Sequence, residues 1–160
     1  MTTHISIRID EEDFIAELLT EDAPKTVAKT LEVLPLSGKL WHTGWMGDAC
    51  VLTPDDIPKE KMAYLEPENQ TVLGGRGDVL WFPGQPGIGL PYGEGNHLFI
   101  VHRVAEFRFR AGPTPMNLWA RINDRLDVLD QVGMNMGGGI YKKGRAGGGG
   151  SRDILISTLD

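Results

Sequence analysis

Two short stretches of this 160-residue chain carry side chains able to do chemistry. The first is Trp41-His42-Thr43-Gly44-Trp45. On a regular strand Trp41, Thr43 and Trp45 share one face and His42 points to the other. Two indoles so placed suit the wall of an apolar pocket, with His42 or Thr43 giving a polar contact. They suit a core packed beneath a helix as well, and the residues alone leave both accounts open. The second stretch is Tyr92-Gly93-Glu94-Gly95-Asn96-His97. A carboxylate, a carboxamide and an imidazole lie together where a glycine-rich loop enters a strand, and Glu94 is placed to orient His97. Turn chemistry is the competing account, with Asn96 bonding its own backbone and the glycines taking φ > 0. The length of segment 84–95, costly to order unless something uses it, favours a site. The expected ligand-binding set is Trp41, His42, Trp45, Tyr92, Glu94, Asn96 and His97, with no catalytic residue assigned.

Other chemistries find less support. His42, His97 and His102 have no paired ligand at helical or hairpin spacing, and strand alternation puts His97 and His102 on opposite faces, so no metal site is expected. Cys50 sits in the apolar run Ala49-Cys50-Val51-Leu52 and reads as a buried thiol rather than a nucleophile. It is the single cysteine, so no intramolecular disulfide can form. The glycine runs near Gly137 and Gly147 lack a following Lys-Ser or Lys-Thr, so neither is a phosphate-binding loop. Segment 133–139 follows a helical pattern rather than a strand, which excludes a dinucleotide fingerprint. Arg108 and Arg110 alternate with phenylalanines, as a solvated face does. No cofactor is expected.

The totals narrow the class. A net charge of −6 argues against a general nucleic-acid binder, because phosphate contacts need a basic surface. No window approaches the apolar length of a membrane span, and the first residues show no signal-peptide pattern, so a cytoplasmic protein with no membrane partner is expected. The length fits one domain over residues 1–160. Twenty-one glycines and ten prolines favour a turn-rich β architecture.

The elements that must position these residues follow from periodicity. Ile5, Ile7 and Ile9 alternate, and Phe14 to Leu19 forms the returning strand of a hairpin. An amphipathic helix follows, capped by Asp22, opened by Pro24, striped by Val27, Leu31 and Leu34, and ended by Pro35. Lys39 to Leu52 reads as two short strands or one bent strand. Val79 to Phe82 is a short buried strand. Segment 84–95, with five glycines and two prolines, is expected to hold no regular structure. Asn96 to Val104 is the clearest central strand. Thr114 to Asn123 reads as a second helix, with Met116, Trp119, Ile122, Leu126 and Leu129 at helical spacing, running toward Val132 and ended by Gly133. Segment 144–151 is a flexible glycine-rich loop, and Asp153 to Thr158 is a last strand.

The hairpin followed by Glu21-Asp22-Ala23-Pro24-Lys25-Thr26-Val27-Ala28-Lys29-Thr30-Leu31 resembles the start of cyclophilins. That family places Phe-His-Arg on the next strand, with the arginine needed for peptidyl-prolyl isomerisation. Here the counterpart is Trp41-His42-Thr43, and the later Gln-Gly-Gly segment is absent. Over nearly its whole length the chain is similar to bacterial cyclophilin-like families of unknown function, through the stretches at 35–51, 77–84 and 95–101. The resemblance implies a mainly β fold, a closed antiparallel barrel with two helices capping its ends, and no agreed reaction. The expected function is binding of a small polar metabolite in a Trp/His-lined pocket. The alternatives are a peptidyl-prolyl cis–trans isomerase, and a hydrolase or isomerase of a small cyclic amide using Glu94 and His97. Assembly into a homo-oligomer is compatible with aromatic surface strands.

Overall fold

A computed structural model describes residues 1–42, 48–52, 65–82, 87–93, 96–98, 103–105, 108–110, 115–138 and 150–159. The chain opens with β1 (His4–Ile9) and β2 (Glu12–Leu18), the hairpin expected from their alternation. Ile5, Ile7, Ile9, Phe14, Ala16 and Leu18 are all buried on its inner face. Helix α1 (Pro24–Val33) follows, and then β3 (Leu36–His42) and β4 (Ala49–Leu52). Two short strands, β5 (Gln70–Thr71) and β6 (Leu73–Gly75), precede β7 (Asp78–Trp81) and β8 (Ile88–Pro91). After them come β9 (Asn96–Leu98), β10 (Arg103–Ala105), β11 (Arg108–Arg110) and β12 (Met116–Ile122). Helix α2 (Leu126–Gly133), a π-helical turn (Met134–Gly138) and β13 (Arg152–Thr158) complete the described elements.

Eight strands close into an antiparallel barrel in the order β2-β1-β13-β3-β4-β8-β7-β12, and β12 returns to β2. Closure removes the free edges that an open sheet would expose. Alternation fixes the two faces of the wall. Leu40, Cys50, Leu52, Val79, Trp81, Ile88 and Leu90 belong to the interior cluster, whereas Ala49, Val51, Leu80 and Phe82 form a second buried cluster with Met116 and Leu118. Among the described residues no helix is long and apolar enough to cross a membrane.

Three expectations about strands are corrected. Met116–Ile122 is a strand, not a helix, and its pairing with β7 slips between Leu118 and Ala120. Trp119 is the extra residue of this bulge. Met116 and Leu118 lie in the outer cluster, and Trp119, Ala120 and Ile122 lie in the interior one. The slip makes two consecutive residues face inward, so the apolar spacing imitates a helical one. The helical pattern is real only beyond it, in α2. Segment 84–95 is also not wholly irregular, because Ile88–Pro91 is a wall strand between β4 and β7. Ile88 and Leu90 point inward, and Pro91 stands at the strand end, where a missing N–H costs least. Of the run from Asn96 to Val104, expected as a central strand, residues 99–102 lie outside the described residues, and the described ends belong to no wall strand. β9 pairs with β6, and β10 pairs with β11, each in a separate two-stranded sheet. An apolar run cannot by itself tell a barrel wall from a ribbon. Most of the glycine-rich segment expected at 144–151 lies outside the described residues.

The helices cover opposite ends of the β1–β2 hairpin. Helix α1 leaves from the Leu18 end, and the Ala23 N–H donates to the Leu19 carbonyl (2.8 Å). The expected Asp22 cap is not made. Ala23 occupies the cap position with no side-chain hydrogen bond. Glu68, distant in sequence, does the capping: its carboxylate accepts the N–H groups of Lys25 (3.2 Å) and Thr26 (2.7 Å) and the Thr26 hydroxyl (2.7 Å). Asn117 Nδ2 donates to Thr26 Oγ1 at 3.1 Å, and Trp81 Nε1 donates to Thr30 Oγ1 at 2.7 Å. Helix α2 packs at the Ile9 end, where Arg125 holds the Glu12 carboxylate and the Asp13 carbonyl.

Candidate functional site

The α2 end of the barrel brings together several polar side chains. β3 and β4 pair with His42 opposite Cys50, and β4 and β8 pair with Cys50 opposite Leu90. Cys50 and Leu90 face the interior. Tyr92, two residues beyond Leu90, is 1 % exposed. His42 Nε2 and the Tyr92 hydroxyl lie 2.7 Å apart, with the rings edge-on at 5.6 Å. The Tyr92 hydroxyl donates in turn to Asp48 Oδ1, at 3.4 Å. The result is a row of imidazole, phenol and carboxylate.

Backbone and helix fix the tyrosine. Its N–H donates to the Asp48 carbonyl (2.9 Å), and the following N–H, of Gly93, donates to Asp130 Oδ1 (2.7 Å). Asp130 also takes a two-pronged contact from Arg76, at 3.1 and 2.5 Å, the geometry in which guanidinium and carboxylate bind best. Gly93 has φ +75°, a conformation glycine adopts without strain. Gly133, one helical turn after Asp130, lies flat on the Tyr92 ring. A Cβ there would stand 2.3 Å from ring carbons, so only glycine lets α2 approach this closely. Met136 follows at the same spacing, with its sulfur 3.8 Å from the Cys50 thiol.

Burial sets the charge states. It lowers the His42 pKa against the opposing pull of Asp48, so the imidazole is neutral at neutral pH. Burial and the Asp48 charge push Tyr92 far up, so its phenol keeps its proton. Burial, with Asp48 adding and Arg152 opposing, pushes the Cys50 thiol up to about 12, as expected of a structural cysteine. His42 Nδ1 and Trp119 Nε1 are buried with no hydrogen-bond partner among the described residues. No cluster of three or more His, Cys, Asp or Glu side chains fit for a metal occurs among the described residues.

Of the expected site residues, His42 and Tyr92 come together. Trp41 does not join them, because it stands on the outer face of β3 and is 46 % exposed. Trp45 and Glu94 lie outside the described residues. Asn96 and His97 are placed in β9 opposite Gly75 and Gly74, and their side chains lie outside the description. The sequence reading missed Asp48, Asp130 and Gly133. Asp48 carried a faint signal, as a carboxylate just before a four-residue apolar strand. Asp130 and Gly133 had the helical spacing of three, hidden by a pattern assigned to helix termination.

A family model described as a protein of unknown function, DUF3830, matches residues 5–144. The chain belongs to this DUF3830 family. No curated protein matches it. Among solved structures, the fold is similar to a hypothetical protein from Archaeoglobus fulgidus, AF2241. That match has 20 % identity and a TM-score of 0.55, over 98 % of this chain and 94 % of that one. It is also similar to McbB in complex with tryptophan, at 14 % identity and a TM-score of 0.63. There 97 % of this chain aligns, but only 44 % of McbB.

Proposed function

We propose that this DUF3830 barrel is a cyclophilin-like binding module that holds a small polar metabolite at its α2 end, with His42 and Tyr92 as contacts and Asp48 behind them. The observation that carries the reading is the His42–Tyr92–Asp48 row, set at the end of a mainly apolar interior, with a buried ring nitrogen of His42 left unpartnered among the described residues. Burying a polar atom without a partner costs about 1–3 kcal/mol, and an aliphatic side chain at position 42 would avoid that cost. A ligand hydrogen bond would offset it. Peptidyl-prolyl isomerisation draws no support, since threonine stands where the cyclophilin pattern has its arginine.

The test is a thermal-shift screen over small amides, carboxylates and amino acids. Tryptophan belongs in the panel because McbB was determined with it. The expected result is a stabilising ligand whose affinity falls at least about tenfold in His42→Ala and in Tyr92→Phe, the loss of one good hydrogen bond. An unresponsive protein, or a ligand bound equally by both variants, would end the reading.

A further inference from the structure

We infer that Asp130 is the positioning residue of this site: from helix α2 it holds Gly93 by its backbone N–H, and so fixes the Tyr92 hydroxyl against His42 and Asp48. The inference deepens the binding reading above, and its bearing on ligand affinity rests on that reading.

Three hydrogen bonds from the main chain bracket the tyrosine. The Pro91 carbonyl accepts the Gly77 N–H (3.2 Å), the Tyr92 N–H donates to the Asp48 carbonyl (2.9 Å), and the Gly93 N–H donates to Asp130 Oδ1 (2.7 Å). The first two join backbone to backbone. The third is the shortest, and of the three it is the one that ends on a side chain, so a substitution can cut it. Arg76 keeps the Asp130 carboxylate in place by gripping both its oxygens, at 3.1 and 2.5 Å. Arg76 in turn follows β6, where Gly75 pairs with Asn96. Gly93 and Asn96 are thus tied back to one turn, through Arg76 and Gly75.

Gly93 also lies against the third member of the row. A Cβ on Gly93 would stand 3.2 Å from Asp48 Oδ2, so the backbone held by Asp130 runs beside the carboxylate that faces the phenol. Gly133, one turn along the same helix, lies on the Tyr92 ring. Helix α2 therefore sets the ring through Gly133 and the strand end through Asp130. The margin is small, because a shift of about 0.5 Å would carry the 2.7 Å His42–Tyr92 contact to the edge of the normal hydrogen-bond range. The Asp130 charge is also felt at the phenol: after burial, Asp48 and Cys50, it is among the causes that push Tyr92 up. The Asp130 oxygens already serve three donors, so it acts through Gly93 and Tyr92 rather than on a ligand.

The test reads the row on the intact protein without any ligand. In nitrogen-15 spectra of the His42 ring at neutral pH, the Nε2 signal reports its hydrogen bond with the Tyr92 hydroxyl, whichever of the two donates. Asp130→Ala is expected to move that signal in the same direction as Tyr92→Phe, to a smaller extent. Asp130→Asn keeps an oxygen for the Gly93 N–H and is expected to retain most of the wild-type spectrum. Glu68→Ala, which loosens the α1 end of the barrel, is expected to leave the signal in place. An unmoved signal in folded Asp130→Ala overturns the inference, and so does an equal response to Glu68→Ala, the mark of general loosening. Asparagine behaving like alanine overturns it too. If Asp130→Ala does not fold, Arg76→Ala takes its place by releasing the carboxylate, with a shift in the same direction expected and its absence overturning the inference. Against a ligand found by the screen above, Asp130→Ala is expected to bind at least about tenfold more weakly, the loss of one good hydrogen bond. Wild-type affinity there overturns the positioning role and leaves metabolite binding standing. A silent screen with the expected shifts ends the binding reading and leaves the hold of Asp130 on Tyr92 in place.

Discussion

His42 concentrates the opposing effects of this site in one ring. Burial keeps it neutral, and the same burial leaves Nδ1 without a partner among the described residues. The neutral state links folding to pH. The folded His42 pKa lies below the ordinary value of about 6.5, so in acid the unfolded chain takes up the proton first. Stability is therefore fully present above the ordinary value and falls as the pH drops through it toward the lowered folded value. Wild-type protein should lose stability more steeply than His42→Gln between about pH 7.5 and about pH 5.5, because the glutamine cannot titrate. Denaturant melts at several pH values check this, and parallel slopes would remove the linkage. His42 and Tyr92 were legible in the sequence as residue types near glycine turns. Their partner Asp48 was not, because a carboxylate joins a phenol only once β3, β4 and β8 lie side by side.

At the scale of elements, local pattern succeeded where an unbroken period or a proline sets the element's form. The β1–β2 hairpin and β13 alternate strictly, and helix α1 ends at Val33 before Pro35. The misread elements share one physical cause, since their form depends on a neighbour. Met116–Ile122 looks helical because the bulge at Trp119 breaks its period of two. Ile88–Pro91 looks irregular because its glycine and proline are tolerated only between β4 and β7. The cap of α1 comes from Glu68, more than forty residues away. Burial opposes the charge of Glu68, yet the Thr26 and Lys25 hydrogen bonds outweigh it and hold this carboxyl below its usual range. Glu68→Ala leaves three donors without their acceptor, two of them first-turn N–H groups. The expected loss is about 1 kcal/mol in chemical denaturation, the size of a lost cap, with the fold retained. Asp22→Ala should cost much less, since Asp22 caps nothing.

For the whole molecule, closure makes every wall strand depend on two neighbours. Trp81 and Trp119 are among the largest fully buried side chains, and both belong to the cluster that also contains Ile7, Leu40 and Ile156. Thermal unfolding followed by tryptophan emission and by far-ultraviolet circular dichroism should therefore give one coincident transition. Two separated midpoints would show that the chain holds more than one folding unit. The mainly β, two-helix barrel was legible from strand alternation and from the family resemblance read in the first residues. Which strand neighbours which was not, because pairing between distant segments leaves no mark on either alone.

The bulge at Trp119 gives this wall a place to change length. Taking Trp119 out would return the strand to strict in-and-out order, with Leu118 outward, Ala120 inward and Arg121 still toward solvent. At other points in the same strand, losing one residue would turn the Arg121 charge into the barrel. Natural length variants among relatives of this chain, where they touch this strand, should gather at that single joint.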